Sequence, residues 1–284
     1  MSARLRSIAN ETERIVAQGG YTAPGGHRVD LADDIARAVA RTRLYAPEDT
    51  VGPPSAGRSP RSASPAGGPA GGARYEVTAE SSLEAARRLV ADGEPVAVLD
   101  FASARNPGGG YLNGAQAQEE ALCRASALYR CLREAPEYYA AHRADPSPFY
   151  SDRVIHSPAV PVFRDDRGRL LDVPYRVGFL TSPAPNAGVV ARRDPGAVAR
   201  LPATLLRRGG RVLEVAAAHG YRRLVLGAWG CGVFMNDPAQ VAAAFHAHLT
   251  GAGRFAGHFD RVVFGVLDRR DPSPVRAAFA DAFG

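Results

Sequence analysis

The chain has 284 residues, 45% of them hydrophobic, so it is long enough to bury a substantial core as one large domain with attachments. It contains no run of about 18 apolar residues, which excludes a transmembrane helix, and its first 15 residues carry five charged side chains where an export signal needs an apolar core. All 35 basic residues are arginine, and with 29 acidic residues they give a formal charge of +6. The absence of lysine indicates a genome-wide coding bias more than a polyanion-binding surface.

The cysteines and histidines show no metal-binding pattern. Cys123, Cys131 and Cys231 match neither a C-x-x-C nor a zinc spacing, which predicts a reducing, cytoplasmic location. His246 and His248 lie two apart on a predicted helix and so point to different faces. We therefore predict neither a metal site nor a cofactor. The arginines form no stripe with interleaved aromatic residues, so we expect no direct binding to duplex DNA, and we expect no membrane partner.

The N-terminal quarter of the chain divides into two predicted segments. Residues 1–18 carry apolar side chains at helical spacing, and a turn-rich piece leads to a second helix near residues 31–40. Residues 1–46 are therefore predicted to form an N-terminal helical extension packed on the core. In residues 47–74, 21 of 28 residues are Pro, Gly, Ser or Ala, a composition that predicts a disordered surface insertion.

From residue 75 onward, short apolar runs alternate with helical patterns. Strands are predicted at residues 75–78, 94–101, 154–157, 176–181, 223–227 and 261–267, and helices at residues 81–91, 118–133, 202–219, 238–250 and 274–283. The run at residues 95–99 is continuously apolar, which is typical of a central buried strand. This alternation predicts a mixed or parallel sheet covered by helices on both faces, with ligands bound outside the carboxyl ends of the strands.

Three consecutive glycines, Gly108, Gly109 and Gly110, follow one predicted strand within the sequence NPGGGYLNGAQAQEE, which runs from Asn106 to Glu120. Glycine has no side chain to pack and loses the most backbone entropy on folding, so packing alone does not explain three in a row. Such a loop is useful where the backbone must turn sharply and approach a ligand closely.

A second glycine-rich loop, residues 227–234, follows another predicted strand and reads GAWGCGVF. Backbone N–H groups in glycine turns and at helix N-termini bind anionic oxygens without a basic side chain, so two such loops at one sheet edge suit a ligand with a central pyrophosphate. The second loop is not a G-x-G-x-x-G, and no G-x-x-x-x-G-K-[ST] occurs in this lysine-free chain. These features argue against a Rossmann dehydrogenase and a P-loop NTPase.

With these two loops the chain resembles the bacterial-type poly(ADP-ribose) glycohydrolases, which are built on the ADP-ribose-binding macrodomain. The family signature is G-G-G, a spacer of six to eight residues and Q-E-E; here seven residues separate Gly110 from Gln118-Glu119-Glu120. Asn106-Pro107 and the second loop also match. The resemblance covers roughly residues 4–45 and 75–284, and it implies an α/β fold: a three-layer α/β/α macrodomain with a central mixed sheet, catalytic and spanning residues 75–284, plus the N-terminal helical extension.

The resemblance also implies roles for individual residues. Glu120 is implied to be the acid/base that protonates the leaving ribose and then activates water, and Glu119 to orient the ribose. Neighbouring residues on a helix diverge by about 100°, so one carboxylate serves twice instead of two facing each other. Asn106 is implied to hydrogen-bond the distal ribose and Phe234 to pack on it. The implied substrate-binding set also includes Gly108, Gly109, Gly110, Gln118, Gly230, Cys231, Gly232 and Val233.

The implied activity is hydrolysis of ribose–ribose O-glycosidic bonds, with poly(ADP-ribose), ADP-ribose and poly(ADP-ribosyl)ated proteins as partners. Two alternatives stay open: a non-catalytic module that binds ADP-ribose or its polymer, and a hydrolase of protein-linked mono(ADP-ribose). A binding module would place two acids beside a pyrophosphate without benefit to binding. Analysis of the products separates the two hydrolases. By analogy to macrodomains, an adenine site is predicted near residues 267–269.

Overall fold

The computed structural model describes residues 2–52, 73–268 and 270–284, so most of the predicted insertion at residues 47–74 lies outside the described residues. The helices are α1 Ala3–Gln18, α2 Ala32–Ala40, α3 Ser82–Val90, α4 Gln118–Ala125, α5 Leu128–Leu132, α6 Pro136–Ala144, α7 Ala187–Arg193, α8 Leu201–Ala218, α9 Pro238–Leu249 and α10 Pro274–Phe283. The strands are β1 Gly20–Thr22, β2 Arg28–Asp30, β3 Arg43–Tyr45, β4 Arg74–Thr78, β5 Val96–Phe101, β6 Val154–Arg164, β7 Leu170–Ser182, β8 Arg223–Gly227 and β9 Arg261–Gly265.

Seven strands form one mixed sheet in the order β3-β6-β7-β5-β8-β9-β4. The pairs β3–β6 and β6–β7 are antiparallel, whereas β7, β5, β8, β9 and β4 run parallel to one another. The mixed sheet predicted from the sequence is confirmed. Because β5 and β8 are parallel neighbours, the two glycine-rich loops that follow them leave the sheet at the same edge.

Helices cover both faces of this sheet, which confirms the three-layer α/β/α architecture. Val96 and Val98 of β5 pack into a core with side chains from α1 to α6, while Ala97 and Leu99 pack into a second core with α8, α9 and α10. Successive strand residues point to opposite faces, so a strand buried on both sides is apolar without alternation. This is why residues 95–99 of the sequence predicted a central strand.

The N-terminal region combines helices with short strands. Helix α1 begins after Ser2, whose side chain accepts a hydrogen bond from the N–H of Leu5, and ends at Gly19 in the left-handed conformation. Strands β1 and β2 pair with each other, and β3 pairs with β6 at the edge of the main sheet. The domain boundary predicted at residue 46 thus directly follows a strand of the main sheet; the division of the chain into domains stays a prediction.

The helix predicted at residues 118–133 is wrong in its continuity. Helix α4 ends at Ala125, and α5 begins at Leu128. Ser126 between them is extended and forms a bridge with Val162 of β6. Its hydroxyl donates to the carbonyl of Leu122 at 2.7 Å and accepts from the N–H of Leu128 at 3.2 Å, so this side chain links the end of α4 to the start of α5.

Other differences concern the length and number of elements. The strands predicted at residues 154–157 and 176–181 are the ends of β6 and β7, which form a long hairpin closed by a turn at residues 165–169. Helices α6 and α7 were absent from the sequence-based assignment. Helix α3 begins with a reciprocal capping box formed by Ser81 and Glu84. Among the described residues, no helix is long and apolar enough to span a bilayer.

Candidate active site

The first glycine loop connects β5 to α4 and lies against the acidic start of that helix. Gly108 and Gly109 have φ angles of 65° and 57°, in the left-handed region that favours glycine. A Cβ at Gly109 would lie 2.5 Å from Oε1 of Glu120 and 3.2 Å from Oε2 of Glu119. Glycine is therefore required at this position both by its backbone conformation and by the space that the two carboxylates take.

Both carboxylates accept hydrogen bonds from the loop backbone. The N–H of Ser103 donates to Oε2 of Glu119 at 2.7 Å, and the N–H of Gly110 donates to Oε1 of Glu120 at 2.9 Å. Glu119 is 3% exposed and Glu120 8% exposed. The two neighbours are thus fixed by opposite ends of the loop, which agrees with the divergence expected of adjacent helical residues.

Gln118 holds the first turn of α4 against the end of β5. Its side-chain oxygen accepts from the N–H of Phe101 at 2.9 Å, and its amide nitrogen donates to the carbonyl of Leu99 at 2.8 Å and to the hydroxyl of Ser82 at 3.1 Å. Every one of these partners belongs to the scaffold. Gln118 therefore positions the helix that carries Glu119 and Glu120, and its contact with substrate stays a prediction.

The second glycine loop is anchored to the end of β7 by Trp229. This indole is buried, and its N–H donates to the carbonyl of Ser182 at 3.0 Å. Gly230 has a φ of 71°, and a Cβ there would lie 2.5 Å from both Ala184 Cβ and Asn236 Nδ2. The base of this loop is thus tightly packed.

The tip of the second loop is open. A Cβ at Gly232 would meet nothing within 4 Å, and Val233 is 83% exposed. Phe234 is half-buried, with its ring centroid 5.9 Å from that of Tyr150. Burial raises the pKa of Cys231 to about 12, so its thiol stays protonated at neutral pH. This loop therefore offers backbone groups and an aromatic face rather than a nucleophile.

A cleft of about 890 Å³ opens at the carboxyl ends of β5, β8 and β9. Its volume lies in the range of about 300–1,000 Å³ typical of small-molecule sites. Its walls include Phe101, Gln118, Ala228, Cys231, Gly232 and Leu267, together with the start of α1 and the β6–β7 turn. The carboxylates of Glu119 and Glu120 do not line this cleft, because they are turned toward the backbone of the first loop. Leu267 of the predicted adenine site lies on the wall, whereas residue 269 is outside the described residues.

Comparison with known proteins agrees with this geometry. Residues 9–165 match the family model described as the catalytic domain of microbial-type poly(ADP-ribose) glycohydrolase. The chain is 50% identical to the crystal structure of poly(ADP-ribose) glycohydrolase from Thermomonospora curvata, with a TM-score of 0.90 over 99% of this chain and 100% of that chain. This chain belongs to the microbial-type poly(ADP-ribose) glycohydrolase family.

Two further solved structures place ligands in relatives of this glycohydrolase. The Thermomonospora curvata enzyme bound to the inhibitor ADP-HPD matches with 49% identity and a TM-score of 0.88, covering 99% of this chain and 100% of that one. The Deinococcus radiodurans enzyme in complex with ADP-ribose matches with 43% identity and a TM-score of 0.77, covering 89% of this chain and 98% of that one. The comparison with curated proteins gave no significant match.

Asp100 is a third carboxyl group in this glycohydrolase's candidate site, which the motif analysis did not include. It is fully buried in β5, and its Oδ2 accepts from the hydroxyl of Thr181 at 2.9 Å. Burial raises its pKa to about 7, opposed by the hydrogen bond from Thr181 and reinforced by the charge of Glu120. A lone aspartate inside the apolar run VAVLDF was the available signal, since charged side chains are rarely buried without a purpose.

Burial also raises the pKa of Glu119 well above its usual value, and the negative charge of Asp100 adds to this, whereas the N–H of Ser103 opposes it. Two buried acids with raised pKa values cannot both ionise freely at neutral pH. Asp100 and Glu119 therefore hold protons in the free enzyme up to a higher pH than ordinary carboxyl groups do.

The structure brings together part of the predicted set. Glu119 and Glu120 lie against Gly109 and Gly110, while Gln118, Cys231 and Gly232 line the cleft. The first loop contains a turn that begins at Asn106, whose carbonyl accepts from the N–H of Gly109 at 3.0 Å. The contact of every residue in this set with a ligand stays a prediction.

Proposed function

We propose that this chain hydrolyses the ribose–ribose O-glycosidic bonds of poly(ADP-ribose) and releases ADP-ribose, with Glu120 as the general acid and base. One observation carries the proposal: Oε1 of Glu120 is fixed by the N–H of Gly110, directly beside the left-handed Gly109. A carboxylate held against a glycine loop at a sheet edge combines an acid with a backbone surface for a phosphorylated sugar.

The chemistry needs one proton donor and one water activator. Cleavage breaks the bond between the anomeric carbon and the leaving oxygen through an oxocarbenium-like transition state, and Glu120 gives its proton to that oxygen. The resulting carboxylate then takes a proton from water, whose oxygen bonds to the anomeric carbon. Because Oε1 accepts from Gly110, Oε2 is the oxygen proposed to face the reacting sugar. Glu119 is proposed to hold the ribose hydroxyls.

Substrate binding is proposed to use both glycine loops. In the second loop the N–H groups of Gly230, Gly232 and Val233 would bind the pyrophosphate. The first loop, whose Gly109 and Gly110 N–H groups donate to Asn106 and Glu120, would approach the ligand closely through its side-chain-free backbone. Asn106 and Phe234 would hold the distal ribose. The ADP-ribose and ADP-HPD complexes of the two relatives support this class of ligand. Poly(ADP-ribosyl)ated proteins are the proposed carriers of the polymer. We propose a cytoplasmic site of action, since a reducing compartment preserves free thiols such as Cys123 and Cys131.

The decisive experiment compares wild type with Glu120→Gln in two assays, ADP-ribose release from polymer and ADP-ribose affinity by calorimetry. The substitution keeps the shape of the side chain and removes its proton cycle, so kcat is expected to fall by about 100-fold or more. The affinity is expected to change by less than about threefold. Glu137→Gln, on the exposed side of α6, is the control and should keep full activity.

Other outcomes point to other functions. If wild type binds ADP-ribose but releases none, the chain is a binding module. If it releases ADP-ribose only from mono(ADP-ribosyl)ated protein, its substrate is the protein-linked monomer. If Glu120→Gln retains wild-type turnover, the acid lies elsewhere in the site.

A further inference from the structure

Helix α4 holds the first glycine loop with two side chains, one turn apart. Glu120 accepts from the N–H of Gly110, and Arg124, four residues later, donates from Nη1 to the carbonyl of Ala115 at 2.7 Å. Side chains four positions apart lie on one face of a helix. Two side chains on the same face of α4 therefore hydrogen-bond to the loop backbone.

Gly110 and Ala115, the two loop residues held by these side chains, are also hydrogen-bonded to each other. The N–H of Ala115 donates to the carbonyl of Gly110 at 3.1 Å, and a Cβ at Gly110 would lie 2.6 Å from Cβ of Ala115. Glu120, Gly110, Ala115 and Arg124 thus form a closed ring of hydrogen bonds completed by one turn of α4. A displacement of Ala115 is transmitted directly to the N–H that fixes Glu120.

We propose that Arg124 is a positioning residue, which holds the glycine loop so that the N–H of Gly110 fixes Oε1 of Glu120 in its reactive orientation. This inference rests on the proposed function, since it assigns a role to Arg124 through Glu120.

The burial of Arg124 and the lack of an ion-pair partner among the described residues suit it to this positioning role. Arg124 is 8% exposed, at the wall of the cleft, and among the residues that the structure describes its guanidinium forms no ion pair with a carboxylate. Burial lowers the pKa of Arg124, and the negative charge of Glu120 opposes that effect. A buried cation without an ion-pair partner is costly. The position of this cation on the same helix face as Glu120 is explained if its hydrogen bond to Ala115 supports the site.

Helix α1 extends this ring toward the N-terminus. The hydroxyl of Thr12 donates to the carbonyl of Arg124 at 2.7 Å and accepts from Nε of Arg164 at 3.1 Å. Arg164 in turn pairs with Glu11 at 2.8 Å. Thr12 is completely buried. The N-terminal helix therefore fixes the turn of α4 from which Arg124 reaches the loop.

The test measures kcat and ADP-ribose affinity separately for Arg124→Met, which keeps most of the length of the side chain but has no donor. A misplaced reacting group costs up to about 100-fold, so kcat is expected to fall between about tenfold and 100-fold while the ADP-ribose Kd changes by less than about threefold. The calorimetric stoichiometry reports the folded fraction. If kcat per binding site is unchanged, or if affinity falls more than kcat, the proposal is wrong, because Arg124 is then either passive packing or a ligand contact.

Thr12→Val provides a second test that preserves shape and removes only the hydroxyl. We expect kcat per binding site to fall by about threefold to tenfold. Thr204→Val is the matched control, since Thr204 is also buried and also donates to a helix carbonyl, that of Arg200, at 3.0 Å. Equal kcat values for the two valine variants would overturn the role of the α1 contact. ADP-ribose release by wild type tests the proposed function independently of these variants.

Discussion

At the scale of single residues, the site depends on where a side chain is missing. Gly109 allows the loop to pass within contact distance of both Glu119 and Glu120. Their backbone hydrogen bonds come from Ser103 and Gly110, on either side of that close approach. Preorganised donors that need not move during the reaction contribute strongly to catalysis. The glycines therefore act on the carboxylates as well as on the phosphates proposed to bind there.

Substituting Gly109 separates backbone strain from loss of space. In Gly109→Ala the new Cβ would overlap Oε1 of Glu120, so the carboxylate must move and kcat is expected to fall by about tenfold or more. Gly257→Ala is the control, because Gly257 also has a positive φ, 71°, but a Cβ there would meet nothing within 4 Å. Both variants should lose about 1–2 kcal/mol of stability, measured by urea unfolding. A similar loss of kcat in both would contradict the steric argument.

At the scale of elements, β5 combines an apolar interior with an ionisable end. Asp100 lies beside Thr181 of β7, and the adjacent Phe101 is bonded to Gln118 of α4. Strand β5 thus places a buried carboxyl group near the start of the helix that carries Glu119 and Glu120. A protonated Asp100 places no further negative charge beside these two carboxyl groups, which avoids like-charge repulsion.

The raised pKa of Asp100 predicts a pH dependence of stability. The folded value is about 7, against about 3.9 in the unfolded chain, so the folded state binds the proton more tightly. Its stabilising contribution is complete below the unfolded pKa and is lost as the pH rises through the folded pKa. Between about pH 5 and about pH 8, wild type should lose roughly 2–3 kcal/mol more than Asp100→Asn does.

Urea unfolding of both proteins at the two pH values measures this difference. Asparagine keeps the size of the side chain and an oxygen that can accept from Thr181, so packing is conserved while the titration is removed. Parallel pH profiles for the two proteins would show that Asp100 is ionised in the folded state throughout this range.

The elements also show which features local sequence determines. Strand β5 and helix α3 were predicted, because each follows from a pattern of consecutive residues. The resemblance assigned the G-G-G loop and Glu119-Glu120 to one site, and Gly109 lies against both carboxylates. The break at Ser126 was not predicted, because it depends on a bridge to Val162, which is distant in sequence. Arg124 was likewise missed, since its partner Ala115 is defined only by the shape of the loop. Features made by tertiary contact leave little signal in a single sequence.

At the scale of the whole molecule, the N-terminal region contacts the rest of the chain at both of its ends. Helix α1 supports α4 through Thr12, and β3 closes the edge of the sheet beside β6. At that edge His156 of β6 and His219, which follows α8, stack with ring centroids 3.7 Å apart. The hydroxyl of Tyr221 lies 2.9 Å from His156 Nε2, and the hydroxyl of Tyr45 in β3 lies 2.7 Å from His219 Nε2, both within hydrogen-bond distance. This cluster connects β3 of the N-terminal region with β6 and with the segment that follows α8.

The stacked pair predicts acid sensitivity at this edge. Burial, the neighbouring His219 and the cation Arg41 together lower the pKa of His156 to about 3, with burial as the largest cause. The folded state therefore binds the proton less tightly than the unfolded chain, whose value is about 6.5. The contribution of His156 to stability is present above that unfolded pKa and is lost as the pH falls toward the folded one. Its slope is opposite in sign to that of Asp100.

Replacing the buried ring isolates this contribution from the other titrating groups. Between about pH 7 and about pH 5, wild type should lose roughly 2 kcal/mol more than His156→Gln does, even though the variant is less stable at neutral pH because the stacking is lost. His27→Gln is the control, since His27 is exposed and bonded only to the carbonyl of Asp172 among the contacts described for it. Its pH profile should match that of wild type. If His156→Gln loses as much stability as wild type over this range, the acid sensitivity arises elsewhere, and His156 is already charged or solvated in the folded state.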